Sequence, residues 1–240
     1  MSAPILLGKH TRREFRQRMK SGELHTCIIP IAAIEQHLEH LEMEHDWRSV
    51  NVVAERVATN LSPHVVVAQG VMAGISEHHM NHAGTLTLRP GTFLLVLNDL
   101  IRSVAMAGFT NVVVLNGHGG NIVPCRSNWD QFLREFQINL HFLSYWDVLT
   151  QEDAMLLNGQ KRLPQDLPGH AQEFETAIAL AEFPENVRTD AMTDQTDTSP
   201  QLATREVGEE MVSRITNRVT EFVRDVGSGK QQQEIPPFHP

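Results

Sequence analysis

Residues 28–46 read IIPIAAIEQHLEHLEMEHD. The apolar run Ile28 to Ile34 predicts a buried strand over about 25–34, which delivers Glu35 and His37 at its end. Side chains of an extended chain alternate faces with a period of two, so Glu35 and His37 project the same way and Gln36 the opposite way. His40, His45 and Asp46 follow closely, and such a gathering of imidazoles and carboxylates is metal-ligand chemistry. Taken alone, Asp46 reads as a helix N-cap, because Trp47, Val50, Val53, Ala54 and Val57 then repeat at helical spacing as far as Ser62-Pro63.

The remaining chain alternates strand and helix patterns, which predicts an α/β fold with a mostly parallel sheet flanked by helices in three layers. Short apolar runs mark strands at about 64–70, 111–115 and 139–145, and helices are expected at about 10–21, 92–107, 121–137 and 204–226. With 240 residues and 41% hydrophobic content, one domain over residues 1–228 is expected, with a tail over 229–240 whose composition is that of disorder. A Leu-, Gly- and Pro-rich loop is expected over about 156–169.

The net charge of −9, without a Lys/Arg block, argues against a nucleic-acid partner or an anionic membrane surface and for a small-molecule substrate. Only Cys27 and Cys125 occur, which is no disulfide framework, and no apolar stretch reaches membrane-spanning length; a cytoplasmic protein is expected. Histidine is the anomaly: of 13, eight lie in four short stretches. The loop MAGISEHHMNHAGTLTLRPG holds Ser76, Glu77 and His78, with His79 and His82 read as solvated loop residues. The strand at 111–115 runs into NGHGGN, residues 116–121, a Gly-rich turn whose N–H groups suit an oxyanion, with His118 at its tip. His170 and Glu173 lie at helical spacing, while Glu175 points elsewhere and equally suits a first-turn acid placed for the helix dipole.

Together these motifs resemble the creatininase (creatinine amidohydrolase) family. The pattern E-Q-H-G-P-H-L-P followed by Asp is similar to Glu35-Gln36-His37-Leu38-Glu39-His40-Leu41-Glu42 with Asp46, and NGHGGN is matched throughout. The loop G-x-S-x-E-H with G-T-L-T-L recurs at Gly74, Ser76, Glu77, His78 and Gly84 to Leu88, and H-A-G-E-x-E-T at His170 to Thr176. Leu38, Glu39, Glu42 and Gln172 depart from that pattern.

The resemblance implies a homohexamer with two divalent ions per chain (Zn, Mn or Fe). It places Glu35 and His118 on one ion and His37 on the other, with Asp46 bridging. Creatininase proper has NGHYEN where this chain has Gly119 and Gly120, so a ligand is missing, and Glu173 is expected to replace it. His170, as a proton donor titrating near neutrality, and Glu173 are the expected catalytic residues. Ser76, Glu77, His78, Gly119, Gly120, Trp146 and Glu175 are the expected substrate-binding residues. The function implied is a binuclear metal-dependent amidohydrolase, in which a metal-bridging hydroxide opens a small cyclic amide or related carbonyl compound and creatinine itself is a poor substrate. The alternatives are C–C hydrolysis of a cyclic diketone such as an oxidised inositol, and a non-catalytic metal-bound sensor.

Overall fold

Runs rich in β-branched residues suit strands buried on both faces, as at residues 26–31, 65–67 and 111–116, and a fourth strand at 139–144 is apolar but only partly buried. β1 (Thr26–Ile31), β2 (Val65–Val67), β3 (Asn111–Asn116) and β4 (Asn139–Ser144) form one parallel sheet in the order β2-β1-β3-β4. The computed structural model describes residues 4–157 and 164–238, so part of the expected loop over 156–169 lies outside the described residues.

Helices cover both faces of the sheet. They are α1 (Arg12–Lys20), α2 (His45–Asn60), α3 (Pro90–Met106), α4 (Ile122–Phe136), the short α5 (Gln151–Ala154), α6 (Glu173–Glu182) and α7 (Arg205–Ser228). Strand alternation divides the core in two. Ile28, Val113 and Leu115 pack with Val50, Val53 and Val57 of α2 and with Phe174 of α6 and Ile215 and Val219 of α7. Cys27, Ile29, Ile31, Val112 and Val114 face Phe93, Leu97 and Ile101 of α3 and Trp129 and Phe132 of α4. Each such large apolar side chain contributes about 1.5–3 kcal/mol on burial.

The order of the strands matters for function. From β1 the chain crosses through α2 to β2 on one side, then returns through α3 to β3 on the other, so the direction of winding reverses between β1 and β3. In open parallel sheets ligands bind beyond the carboxyl ends of the strands at such a reversal. Glu35 and His118 follow those two ends.

β1 stops at Ile31, short of the expected 34. Ala32 donates to the Val71 carbonyl (3.0 Å) and Ile34 bridges Leu86, so the chain leaves the sheet to meet the loop after β2. After α7, closed by Gly229 at φ 80, the tail is tied to β4: Asn139 donates to the Gln231 carbonyl (3.0 Å) and accepts from the Gln233 amide (3.0 Å). Among the described residues no helix is long and apolar enough to cross a membrane.

Candidate metal centre

The turn after β3 is built by its two asparagines. Asn116 donates to the His118 carbonyl (2.8 Å) and accepts from the His118 amide (3.1 Å). Asn121 donates to the Ala32 carbonyl (3.2 Å) and accepts from the Ile75 amide (3.0 Å), pinning the turn to the end of β1 and to the long loop. Glycine is needed at position 120, where a Cβ would run into the Ile75 carbonyl and the His118 ring; at Gly119 the space is open. A ligand side chain at 120 is therefore incompatible with this turn, whereas one at 119 is not.

Asp46 lies in the first turn of α2, where Glu44 holds the N-cap position. Its carboxylate turns away from the helix: Oδ1 stands 3.1 Å from His37 Nε2 and Oδ2 2.8 Å from His118 Nδ1. One buried carboxylate is thus divided between two imidazoles.

Behind each of these rings lies a main-chain carbonyl. His37 Nδ1 is 3.0 Å from the Glu35 carbonyl and His118 Nε2 3.0 Å from that of Ile75. A carbonyl only accepts, so the outer nitrogens carry the protons and the inner ones present lone pairs to carboxylates. Glu35 Oε1 lies 3.5 Å from His118 Nδ1, and its buried Oε2 has no hydrogen-bond partner among the described residues. Glu35, His37 and Asp46 each offer a ligand atom within 4.8 Å of the others, and His37, His170 and Glu175 form a second such group.

Lone pairs and carboxylate oxygens that face one another need a cation between them, and without a metal the chain must hold protons there. Burial disfavours the charged form of His37, but the Asp46 and Glu175 carboxylates outweigh it and raise the pKa to about 10. His118 is likewise raised against its burial by Asp46 and Glu35. Burial pushes the Glu175 carboxyl up to about 8 and raises that of Glu35, while the two imidazoles overcome burial to hold Asp46 low. The donor set fits a binuclear site for borderline divalent ions: imidazoles oriented from behind, converging carboxylates and an orphaned oxygen.

Glu173 does not join this set. It is buried at the start of α6, whereas Glu175 Oε2 stands 3.9 Å from His37 Nε2 and accepts from the Ala171 amide (2.6 Å). The cause is where the helix begins. Gly169 and Ala171 have φ 78 and 50, and Gln172 is extended, so His170 precedes the helix and the spacing that links it to Glu173 does not apply. Two residues apart on a helix point in nearly opposite directions, so bringing Glu175 to the centre sends Glu173 away from it.

Other expected residues divide as well. His78, Gly119, Gly120, Trp146, His170 and Glu175 line a cleft of about 530 Å³ above Glu35, Asp46 and His118. Ser76 is buried behind it, with Oγ 3.4 Å from His118 Nε2, and Glu77 is exposed on a short turn. His40 and His45, in the opening stretch, turn instead to Thr176 Oγ1 (2.8 Å) and Ser49 Oγ (3.3 Å). His79, read as a solvated loop residue, lines the cleft and stacks on His170 with ring centroids 4.4 Å apart. Its adjacency to the motif residue His78 was the available signal. Burial, with His37 and His79 nearby, pushes His170 down to about 3, so it is neutral at physiological pH instead of titrating near neutrality.

A family model described as "Creatininase: Creatinine amidohydrolase" matches residues 9–216. The chain belongs to the creatininase family. As a creatininase-family hydrolase it is 29% identical to the creatinine amidohydrolase of Pseudomonas putida over 209 residues, 81% of this chain and 78% of that one. It is also 29% identical over 179 residues to the 3-dehydro-scyllo-inosose hydrolase of Thermotoga maritima, covering 73% of this chain and 55% of the relative. A creatininase crystal structure superposes with a TM-score of 0.82 at 25% identity over 92% of this chain and 97% of that chain. A mutant creatininase of Zn-Zn type gives 0.80 at 25% identity, over 93% and 98%.

Proposed function

We propose that this creatininase-family hydrolase binds two divalent ions, one through Glu35, Asp46 and His118 and the other through His37, Asp46 and Glu175, and hydrolyses a small cyclic amide or related carbonyl compound. The observation that carries this reading is the Asp46 carboxylate, shared between two imidazoles whose other nitrogens are both occupied by carbonyls. Two such ions would lower the pKa of a shared water towards neutrality and polarise a substrate carbonyl.

The chain's own residues do the remainder. Glu35, Asp46 and Glu175 supply the compensating charge, and the carbonyls behind His37 and His118 hold the rings in place. Trp146 and Leu167 form an apolar wall for a ring-sized substrate. His170, a neutral imidazole at the cleft, hydrogen-bonds the atom that gathers charge as the bond breaks, in place of the proton transfer that a charged ring would make. Hydrolysis of the amide forms a C–O bond from water, breaks the C–N bond and leaves the water's proton on nitrogen.

A second reading, C–C hydrolysis of a cyclic diketone such as an oxidised inositol, is favoured by the imidazole rim of His78, His79 and His170, which suits a ring bearing many hydroxyls, and by the likeness to the T. maritima hydrolase. A panel of lactams, formamides and cyclic ketones, assayed with zinc- and manganese-loaded protein, separates the two. Creatinine is expected to be turned over far less efficiently than the best of the panel. No turnover of any member by protein holding two equivalents of metal would favour a sensor, and saturation at one equivalent would remove the bridging role of Asp46. From the family resemblance we also infer a homohexamer; light scattering that returns the mass of one chain at micromolar concentration would count against it.

A further inference from the structure

Among the described residues five imidazoles, those of His37, His78, His79, His118 and His170, stand within reach of Glu35 or Asp46, and what lies behind four of them differs. His79 and His170 also fall into one group with Glu35 that is tight enough to hold a metal ion. Distance alone therefore does not separate ligands from the other rings.

Behind His79 and His170 lies one side-chain amide, that of Gln36. Its Oε1 accepts from the Leu38 amide (3.0 Å), which fixes the orientation of the group and makes Nε2 the donor. Nε2 stands 2.9 Å from His79 Nδ1 and 2.8 Å from His170 Nε2, so each amide hydrogen has its own imidazole. A nitrogen that accepts from an amide carries no proton, and in a neutral ring the proton must then sit on the other nitrogen. Those other nitrogens, His170 Nδ1 and His79 Nε2, face Glu35 Oε1 at 3.5 and 3.7 Å.

We infer that Gln36 is a positioning residue that sets the tautomers of His79 and His170, turning both from potential metal ligands into N–H donors directed at the reaction centre. The inference rests on the binuclear reading above. Carbonyls behind His37 and His118 leave lone pairs facing inward; the amide behind His79 and His170 leaves N–H groups facing inward. A nitrogen bearing a hydrogen does not ligate, so the positions near Glu35 stay open for water and substrate, as catalytic metal sites require. Substrate oxygens then meet two donors whose direction is fixed before binding.

Nitrogen-15 spectra of histidine-labelled, zinc-loaded full-length protein test this, with His79→Asn and His170→Asn used for assignment. The proton is expected on Nδ1 of His170 and on Nε2 of His79. In Gln36→Leu both rings should show averaged or reversed tautomers, and kcat should fall about 10–100-fold with KM and the zinc content supplied by the five ligand residues retained. Gln36→Glu, whose carboxylate accepts where the amide donates, should place the proton on Nε2 of His170. A wild-type His170 protonated at Nε2 would overturn the inference. So would an unchanged spectrum in Gln36→Leu, and if that variant does not fold, the wild-type and Gln36→Glu spectra still decide. The tautomers are read without turnover, so a wrong substrate class leaves the result intact, and a wrong tautomer leaves the hydrolase reading intact.

Discussion

Two buried charge clusters in this molecule are resolved in opposite ways. Asp153, fully buried in α5, accepts from Arg214 Nη1 (2.8 Å), from two nitrogens of Arg218, and from the amide (2.6 Å) and hydroxyl (2.8 Å) of Thr150. Its charge is matched by fixed guanidinium groups from α7, which tie α5 to that helix. At the other cluster Glu35, Asp46 and Glu175 converge, and every ion-pair partner described for them is an imidazole. Where a charge is structural the chain supplies a permanent cation; where carboxylates meet only imidazoles, the arrangement suits completion by an ion from solution.

The largest effect expected from this contrast is on Asp46. Asp46→Asn should abolish turnover and the rise in melting temperature that zinc gives, and in chelated protein it should also cost stability near neutral pH, because protonated His37 and His118 lose their buried partner. A zinc-dependent rise in melting temperature that survives in Asp46→Asn would remove Asp46 from the metal centre.

Asp153→Asn should do the reverse. Loss of one partner of a buried pair costs about 3 kcal/mol, the lower end of the usual range because both guanidinium groups are about one-third exposed. Urea unfolding should show this loss equally with zinc and with chelator, and turnover per folded molecule should be unchanged.

A finer test separates the two glutamates of α6. Glu175→Gln should weaken one metal by about 10–100-fold and recover activity in part with excess zinc, since an amide oxygen carries no charge. Glu173→Gln should keep both metals. Metal loss from the Glu173 variant alone, by elemental analysis, would reverse the assignment.

The smallest expected effect is a difference in sign with pH, read in chelated protein, where water entering the emptied site screens the charges. Glu35, His37, His118 and Glu175 all have folded pKa values raised above their unfolded ones. At these groups the folded chain binds more protons: the contribution of Glu35 and Glu175 is lost as pH rises above about 4.5, their unfolded value, and that of His37 and His118 above about 6.5, so stability falls towards about 10, the folded value of His37. Asp153 is held low by its arginines against burial, so its contribution is complete above about pH 4 and is lost only as acid protonates it. Zinc should flatten the alkaline slope and leave the acid one unchanged. An alkaline slope that persists in the zinc-loaded protein would break the comparison.

The sequence by itself determined the parallel α/β architecture, because short apolar runs at Ile28, Val65, Val112 and Leu140 alternate with helical patterns, and strands that alternate with helices pair in parallel. It also determined the motifs that converge on the centre, since Glu35 and His37 are two residues apart and His118 closes a turn made by its own neighbours. Only the tertiary structure decided between Glu173 and Glu175, because positive φ at Gly169 and Ala171 delays the helix and rotates which carboxylate faces inward. Only the tertiary structure, too, distinguishes His37 and His118 from His79 and His170. A ring's tautomer depends on what lies behind it, and for the last two that is one amide separated from them by 43 and 134 residues of chain.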